Sequence, residues 1–233
     1  MPLSQKAVAR LTGVAYLAMI PGGVAYMSIR PRLVGADADA TFANLMALDR
    51  VARLSVAGTM SVVVAQALAA LGFYALYRAR HEVVAFGIAA FGLLNAAALL
   101  VAATAASTAI ALASSVAAAG AQTAAAAHAL VLLEGAAWDV GGLFFGLWLI
   151  PMGVGAARSG YFHAGRVLGP VLALGGVAYV LGAFLALVPG FAAAGVPDTL
   201  AAVASVGELW TMGALLGVGV RSTPTTAPSN RQP

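Results

Sequence analysis

VVAFGIAAFGLLNAAALLVAATAASTAIAL, from Val83 to Leu112, is thirty residues without one charged side chain. A helix rising about 1.5 Å per residue would carry that stretch about 45 Å, against a hydrocarbon core about 30 Å thick. The segment reads as a membrane-crossing helix that tilts or continues past the headgroups. Working outward, apolar stretches of spanning length recur at about residues 11–29, 54–77, 125–157, 167–188 and 199–220, with almost every charge in the gaps between them. The expected fold is all-α: one transmembrane domain over residues 1–220, a bundle of six helices, with a Pro/Ser/Thr-rich tail at 221–233 too polar to bury a core and expected to be disordered.

Composition narrows the function classes. Charged residues are 9% of the chain and hydrophobic ones 62%, against about 25% charged in a soluble domain, so the protein belongs in a bilayer. There is no cysteine, which excludes a disulfide framework, an iron–sulfur cluster, a thiolate metal site and a cysteine nucleophile. The three histidines, His81, His128 and His163, are not spaced as a metal set, and no phosphate-binding loop, nucleophile elbow or His-Glu-x-x-His helix is present. No cofactor or metal is expected. A net charge of +4 hints at nucleic acid, but the basic residues stand singly or in pairs at span ends, where they anchor to headgroups. The expected partners are lipid and a small-molecule or cation ligand. Arginine outnumbers lysine eleven to one, a bias that suits a high-GC bacterial genome and so a bacterial cytoplasmic membrane.

Orientation follows from those same basic residues. With the N-terminus inside, the inner segments carry Lys6, Arg10, Arg78, Arg80, Arg158, Arg166, Arg221 and Arg231, while the outer ones carry Arg30, Arg32, Arg50 and Arg53 beside Asp37, Asp39 and Asp49. The excess places both termini in the cytoplasm. Pro21, Gly22 and Gly23 should kink the first span. In the polar connection 30–49, Asp39 or Thr41 is placed to cap a short surface helix at 42–48.

Asp139 and Glu208 are the residues out of place. An acid at the centre of a span costs about 2.5–3.5 kcal/mol on insertion scales, so it needs an interior position and a partner or a proton. Glu208 follows the start of its span by nine residues, roughly 13 Å of helix, and Asp139 lies at similar depth. Gln66 and Asn95 fall mid-span, so these four form one candidate polar cluster that binds a ligand or a proton. Gly135, Gly142 and Gly146 share the Asp139 face, and the Gly142–Gly146 and Gly213–Gly217 pairs read as close helix contacts. No Lys or Arg is expected near the acids. Towards the outer end, Glu134 and Arg53 are expected to pair, and Trp138 offers an aromatic wall for a cation. Lone His128 reads as a hydrated interfacial side chain.

Several stretches are similar to the bacterial membrane proteins grouped as domain of unknown function 4386. They are Trp138-Asp139-Val140-Gly141-Gly142-Leu143-Phe144-Phe145-Gly146-Leu147, Arg158-Ser159-Gly160-Tyr161, Val167-Leu168-Gly169, Gly175-Gly176-Val177-Ala178-Tyr179 and Val206-Gly207-Glu208-Leu209-Trp210. The opening Arg10-Leu11-Thr12-Gly13 and the stretch from Arg32 to Arg53 extend the likeness over most of residues 6–220. The resemblance carries the family pattern onto Arg53, Asp139, Gly146, Ser159, Gly160, Gly169, Tyr179, Gly207 and Glu208. This chain departs from it at Glu134, where the family usually has histidine, and at Gly92, where it usually has arginine. It departs again after Tyr161, where proline and arginine are usual. What the resemblance implies is a polytopic bacterial membrane protein with no established activity.

Three classes of function fit these residues. A small-solute or proton-coupled transporter would use mid-membrane carboxylates beside a broken helix. A membrane-embedded enzyme acting on a lipid or prenyl substrate would use a buried acid as proton donor. A structural or regulatory partner would use the same acids only to lock the bundle.

Overall fold

The computed structural model describes residues 3–115, 120–218 and 220, and every regular element among them is a helix. The expected tail at 221–233 and the centre of the 113–122 connection lie outside the described residues. In chain order the helices are α1 (Gln5–Leu17), α2 (Met19–Leu33), α3 (Ala38–Ala47), α4 (Asp49–Tyr77), α5 (Glu82–Ser114), α6 (Ala121–Arg158), α7 (Gly165–Leu185), α8 (Pro189–Ala193) and α9 (Val196–Gly213), which runs into a π-helical turn, Ala214–Val218. Six spans are long and apolar enough to cross a membrane, α1 and α2 together forming the first. Helices suit hydrocarbon because each satisfies its own backbone. Several span hydroxyls are satisfied the same way: Thr59, Thr104, Thr108, Ser205 and Thr211 each donate to the carbonyl four residues back. The outer surface is apolar, with Met27, Leu54, Phe86, Leu174 and Phe184 exposed, as a lipid-facing surface requires.

The first span breaks earlier than its Pro21-Gly22-Gly23 triplet suggested. Pro21 has no N–H to give Leu17, its partner four residues back, and its ring crowds that carbonyl. The helix therefore ends at Leu17 and restarts at Met19, with Pro21 accommodated in the first turn of α2. Gly22 then meets Gly58 of α4 backbone to backbone, where a side chain would collide with the Gly58 carbonyl oxygen.

The spans form a ring. α4 packs on α5, α5 on α6, α6 on α7 and α7 on α9, while α1 closes it by packing on α4, α9 and the π-helical turn. α2 leans instead on α4, so the ring is closed at the α1 level and looser at the α2 level. The closed half holds an aromatic core of Tyr16, Phe73, Tyr77, Trp148 and Tyr161, and a second apolar cluster of Ile29, Leu45, Ile110 and Val131 sits under α3. α3 begins at Ala38 rather than near residue 42. Asp37 caps it, accepting from the Ala40 N–H at 2.8 Å, while Thr41 is buried and accepts from Gly35. The Thr41 hydroxyl also bonds His128 Nδ1 at 2.8 Å, so His128 ties α6 to α3 instead of being merely hydrated.

A second close helix seam lies between α6 and α7. A Cβ on Gly146 would stand 2.6 Å from the Gly176 carbonyl oxygen, and one on Gly169 2.6 Å from the Gly153 carbonyl oxygen. Gly142, expected on this seam, has open space around it, as do Gly213 and Gly217. Gly142 lies one turn before Gly146 on much the same side of α6, so what separates them is the level at which α7 comes close rather than the face. At the end of α6 the chain reverses through Ser159-Gly160-Tyr161. Gly160 takes a φ of +70°, a conformation that a side chain would strain. Arg80 holds that turn, donating to the Ser159 carbonyl at 2.6 Å with its guanidinium 4.9 Å from the Tyr161 ring centre.

Candidate functional site

Where α2 stands off from α6, α7 and α9, the bundle leaves an open cavity of about 650 Å³. That volume falls in the range of small-molecule sites, about 300–1,000 Å³. Its polar lining comes from five helices: Tyr26 and Arg30 of α2, Asn95 of α5, Trp138 and Asp139 of α6, Tyr179 of α7 and Asp198 of α9. Gly142 adds open space beside them. Gly141 permits the approach of Asn95, since a Cβ there would stand 3.1 Å from the amide oxygen.

Two rungs join α2 to α6 across this space. The Tyr26 and Trp138 rings stack with centres 4.0 Å apart and planes 16° apart. One turn further along each helix, Arg30 Nε faces Glu134 Oε2 at 3.8 Å. Gly135 makes the second rung feasible, because a Cβ there would collide with the Arg30 guanidinium. Glu134 is 6% exposed and Arg30 29%, so the acid is walled in while the cation reaches the cavity. Arg30 also acts electrostatically on Asp139, as does Asp198 from the opposite wall.

These contacts correct the expected ion pair. Arg53 pairs with Asp49 on its own helix at 2.9 Å and with Ser114, on an exposed edge away from Glu134. They also supply the cation that the sequence reading lacked. Ending the first span at residue 29 put Arg30 in a loop, but α2 continues to Leu33 and carries Arg30 into the bundle. Tyr26 lies one turn before Arg30, an i, i+4 spacing that marks a shared face.

Asp139 lines the cavity and Glu208 lies behind it. Glu208 is 7% exposed and accepts a hydrogen bond from the Tyr16 hydroxyl at 3.3 Å. Tyr179 interacts with the same carboxyl and lines the cavity with Asp139, so it stands between the two acids. No hydrogen bond or ion pair joins Asp139 to Glu208 among the described residues. Gln66 is fully buried, and neither atom of its amide is hydrogen-bonded; Glu208 Oε1 and the Trp148 indole N–H share that condition. The expected four-residue cluster thus divides, with Asp139 and Asn95 in the cavity and Gln66 and Glu208 buried beside it. Trp148 also occupies the space at Gly92, where a Cβ would stand 3.0 Å from its indole nitrogen. The neighbours of the Glu208 carboxyl are the Tyr16 and Tyr179 hydroxyls.

The residues the sequence reading did not place at the site are Arg30, Tyr26, Tyr16 and Asp198, while Tyr179 entered it only through the family resemblance. The chain matches the family described as Domain of unknown function (DUF4386) over residues 11–219 and belongs to that family. No curated protein and no solved structure matches it.

Proposed function

We propose that this member of the DUF4386 family is a solute-binding bundle of the transporter kind, set in a bacterial cytoplasmic membrane with both termini in the cytoplasm. Asp139 anchors a polar or cationic small solute in the cavity. Glu208, one tyrosine away, is a second acid able to hold a proton while the first holds the solute. The observation that carries this reading is a cavity of solute size lined by polar groups from five helices and bordered by a half-helix that restarts after a proline break. Broken helices beside mid-membrane polar groups are how transporters build substrate sites. A bundle that used its acids only as a lock would have them filled in and fully hydrogen-bonded, whereas Asp139 faces open space and Glu208 Oε1 is unpartnered.

The test is a thermal-shift screen of the purified full chain in detergent against small amines, amino acids and carboxylates. A ligand at about 100 times its Kd stabilises by about 2.7 kcal/mol, enough to move the melting temperature by several degrees. At least one class of solute should shift it, and Asp139→Asn should remove that shift while leaving the unliganded melting temperature near that of the parent. Shifts that survive Asp139→Asn for every solute would place binding elsewhere.

A further inference from the structure

The Arg30–Glu134 rung is poorly made for an ion pair. Charge-assisted N–H···O bonds close to about 2.7–2.9 Å, yet this contact is 3.8 Å long and Arg30 Nε has no hydrogen-bond partner. The guanidinium is fixed by a stem rooted in α2, so it can be drawn only part of the way to a walled-in acid. Among the described residues, three carboxyls, Glu134, Asp139 and Asp198, stand in or beside the cavity with one cation, Arg30. Excess acid in a low-dielectric space favours a second cation or a better-placed one, and it opposes an anion.

We propose that Arg30 is a tethered surrogate for the substrate's own head group, and that the substrate is a small organic cation bearing N–H donors, a guanidinium or a primary ammonium on a compact apolar body. This rests on the reading of the cavity as a solute site. The incoming cation, free of any stem, approaches Asp139, the carboxyl that lines the cavity with Arg30, more closely than Arg30 does and displaces the guanidinium from the acidic wall. Displacement undoes one of the two rungs that hold α2 to α6. The Tyr26–Trp138 stack then remains, on a half-helix whose near end is already broken at Ala18. Occupancy of the cavity and the position of α2 become linked, because the same guanidinium serves both.

Arg30→Gln distinguishes a competitor from a ligand contact. Binding of phenylguanidinium and of benzoate to the purified full chain is measured by calorimetry for the parent and for Arg30→Gln, Arg30→Lys and Asp139→Asn. If the guanidinium occupies the acids nine-tenths of the time, its removal tightens phenylguanidinium about tenfold. Arg30→Lys, which keeps the charge but loses the fork, should tighten it by less, and it carries the test should Arg30→Gln leave Glu134 too exposed to folding stress. Asp139→Asn should abolish binding. Unchanged or weaker phenylguanidinium binding in Arg30→Gln and Arg30→Lys would overturn the surrogate role while leaving the cavity reading intact. Benzoate binding that depends on Arg30 would make it an anion contact, with the same consequence. Absence of any binding by either probe, in every variant, would remove the cavity reading itself.

Discussion

Glu208 shows how a single acid is tolerated inside this bundle. Among the described residues no cation pairs with it; the Tyr16 hydroxyl donates to one oxygen, and Tyr179 stands beside the carboxyl. Tyr16 is fully buried, its ring edge-on to Trp148 at 5.1 Å, so it cannot turn to another acceptor without disturbing the aromatic core. Removing a buried acceptor leaves its donor unsatisfied, at a cost of about 1–3 kcal/mol. Glu208→Ala should therefore lower unfolding stability in detergent by about that amount. Glu208→Gln retains an amide oxygen for Tyr16 and should stay close to the parent. Equal damage from the two substitutions would mean that the fold requires the charge, and a cation near Glu208 would have to be sought. If Glu208→Gln folds normally but uncouples solute movement from a proton gradient in liposomes, the proton on this acid is functional.

The elements explain why sequence reading found the spans but misplaced the site. Six crossing helices were legible because uninterrupted apolar length is itself the physical requirement of the bilayer. The site depended on quantities that such length does not encode. The end of α2 was misjudged because arginine reads as a loop residue, although Arg30 extends along its own helix to reach Glu134. Small residues on α6 were legible as lying on one face but not as to what each would meet. Gly135 gives way to a guanidinium, Gly142 opens onto the cavity, and Gly146 meets α7. By sequence position Gly142→Leu is expected to damage folding more than Gly155→Leu, because Gly142 is on the Asp139 face and Gly155 near the inner end. Yet Gly155 lies against the Tyr77 ring, where a Cβ would stand 3.0 Å from the phenol carbon. The expected ranking of two substitutions is thereby reversed. Gly155→Leu should cost expression and melting temperature, because Tyr77 is fully packed and cannot retreat. Gly142→Leu should leave stability near or above that of the parent, since its side chain enters open space, and should instead weaken solute binding by filling the cavity. Comparison of melting curves and ligand shifts for the two variants checks both halves, and a Gly142→Leu protein that unfolds while Gly155→Leu survives would refute the assignment of contacts.

At the scale of the whole molecule, the ring of spans is closed where α1 packs on α9 and looser where α2 leans away, so the two ends of the bundle are not equivalent. Arg30, Glu134 and Asp198 belong to the looser end, and the Arg80–Ser159 clasp belongs to the other. Which end faces the cytoplasm decides from which side a solute enters. In the proposed orientation the arginine-rich clasp end is inside, and the cavity then opens outward. Reporter fusions after residues 122 and 196 should then read as external, and fusions after residues 82 and 222 as internal. A second measurement links topology to the site. Asp198 is exposed, lies at the start of α9 and lines the cavity, and the chain has no native cysteine to interfere. An Asp198→Cys protein in intact cells should react with a membrane-impermeant thiol reagent, and a solute that binds at Asp139 should slow that reaction. Labelling only after the cells are opened would invert the orientation, with the cavity facing the cytoplasm. Labelling from outside at a rate indifferent to a solute known to bind would keep the orientation but move the solute away from α9.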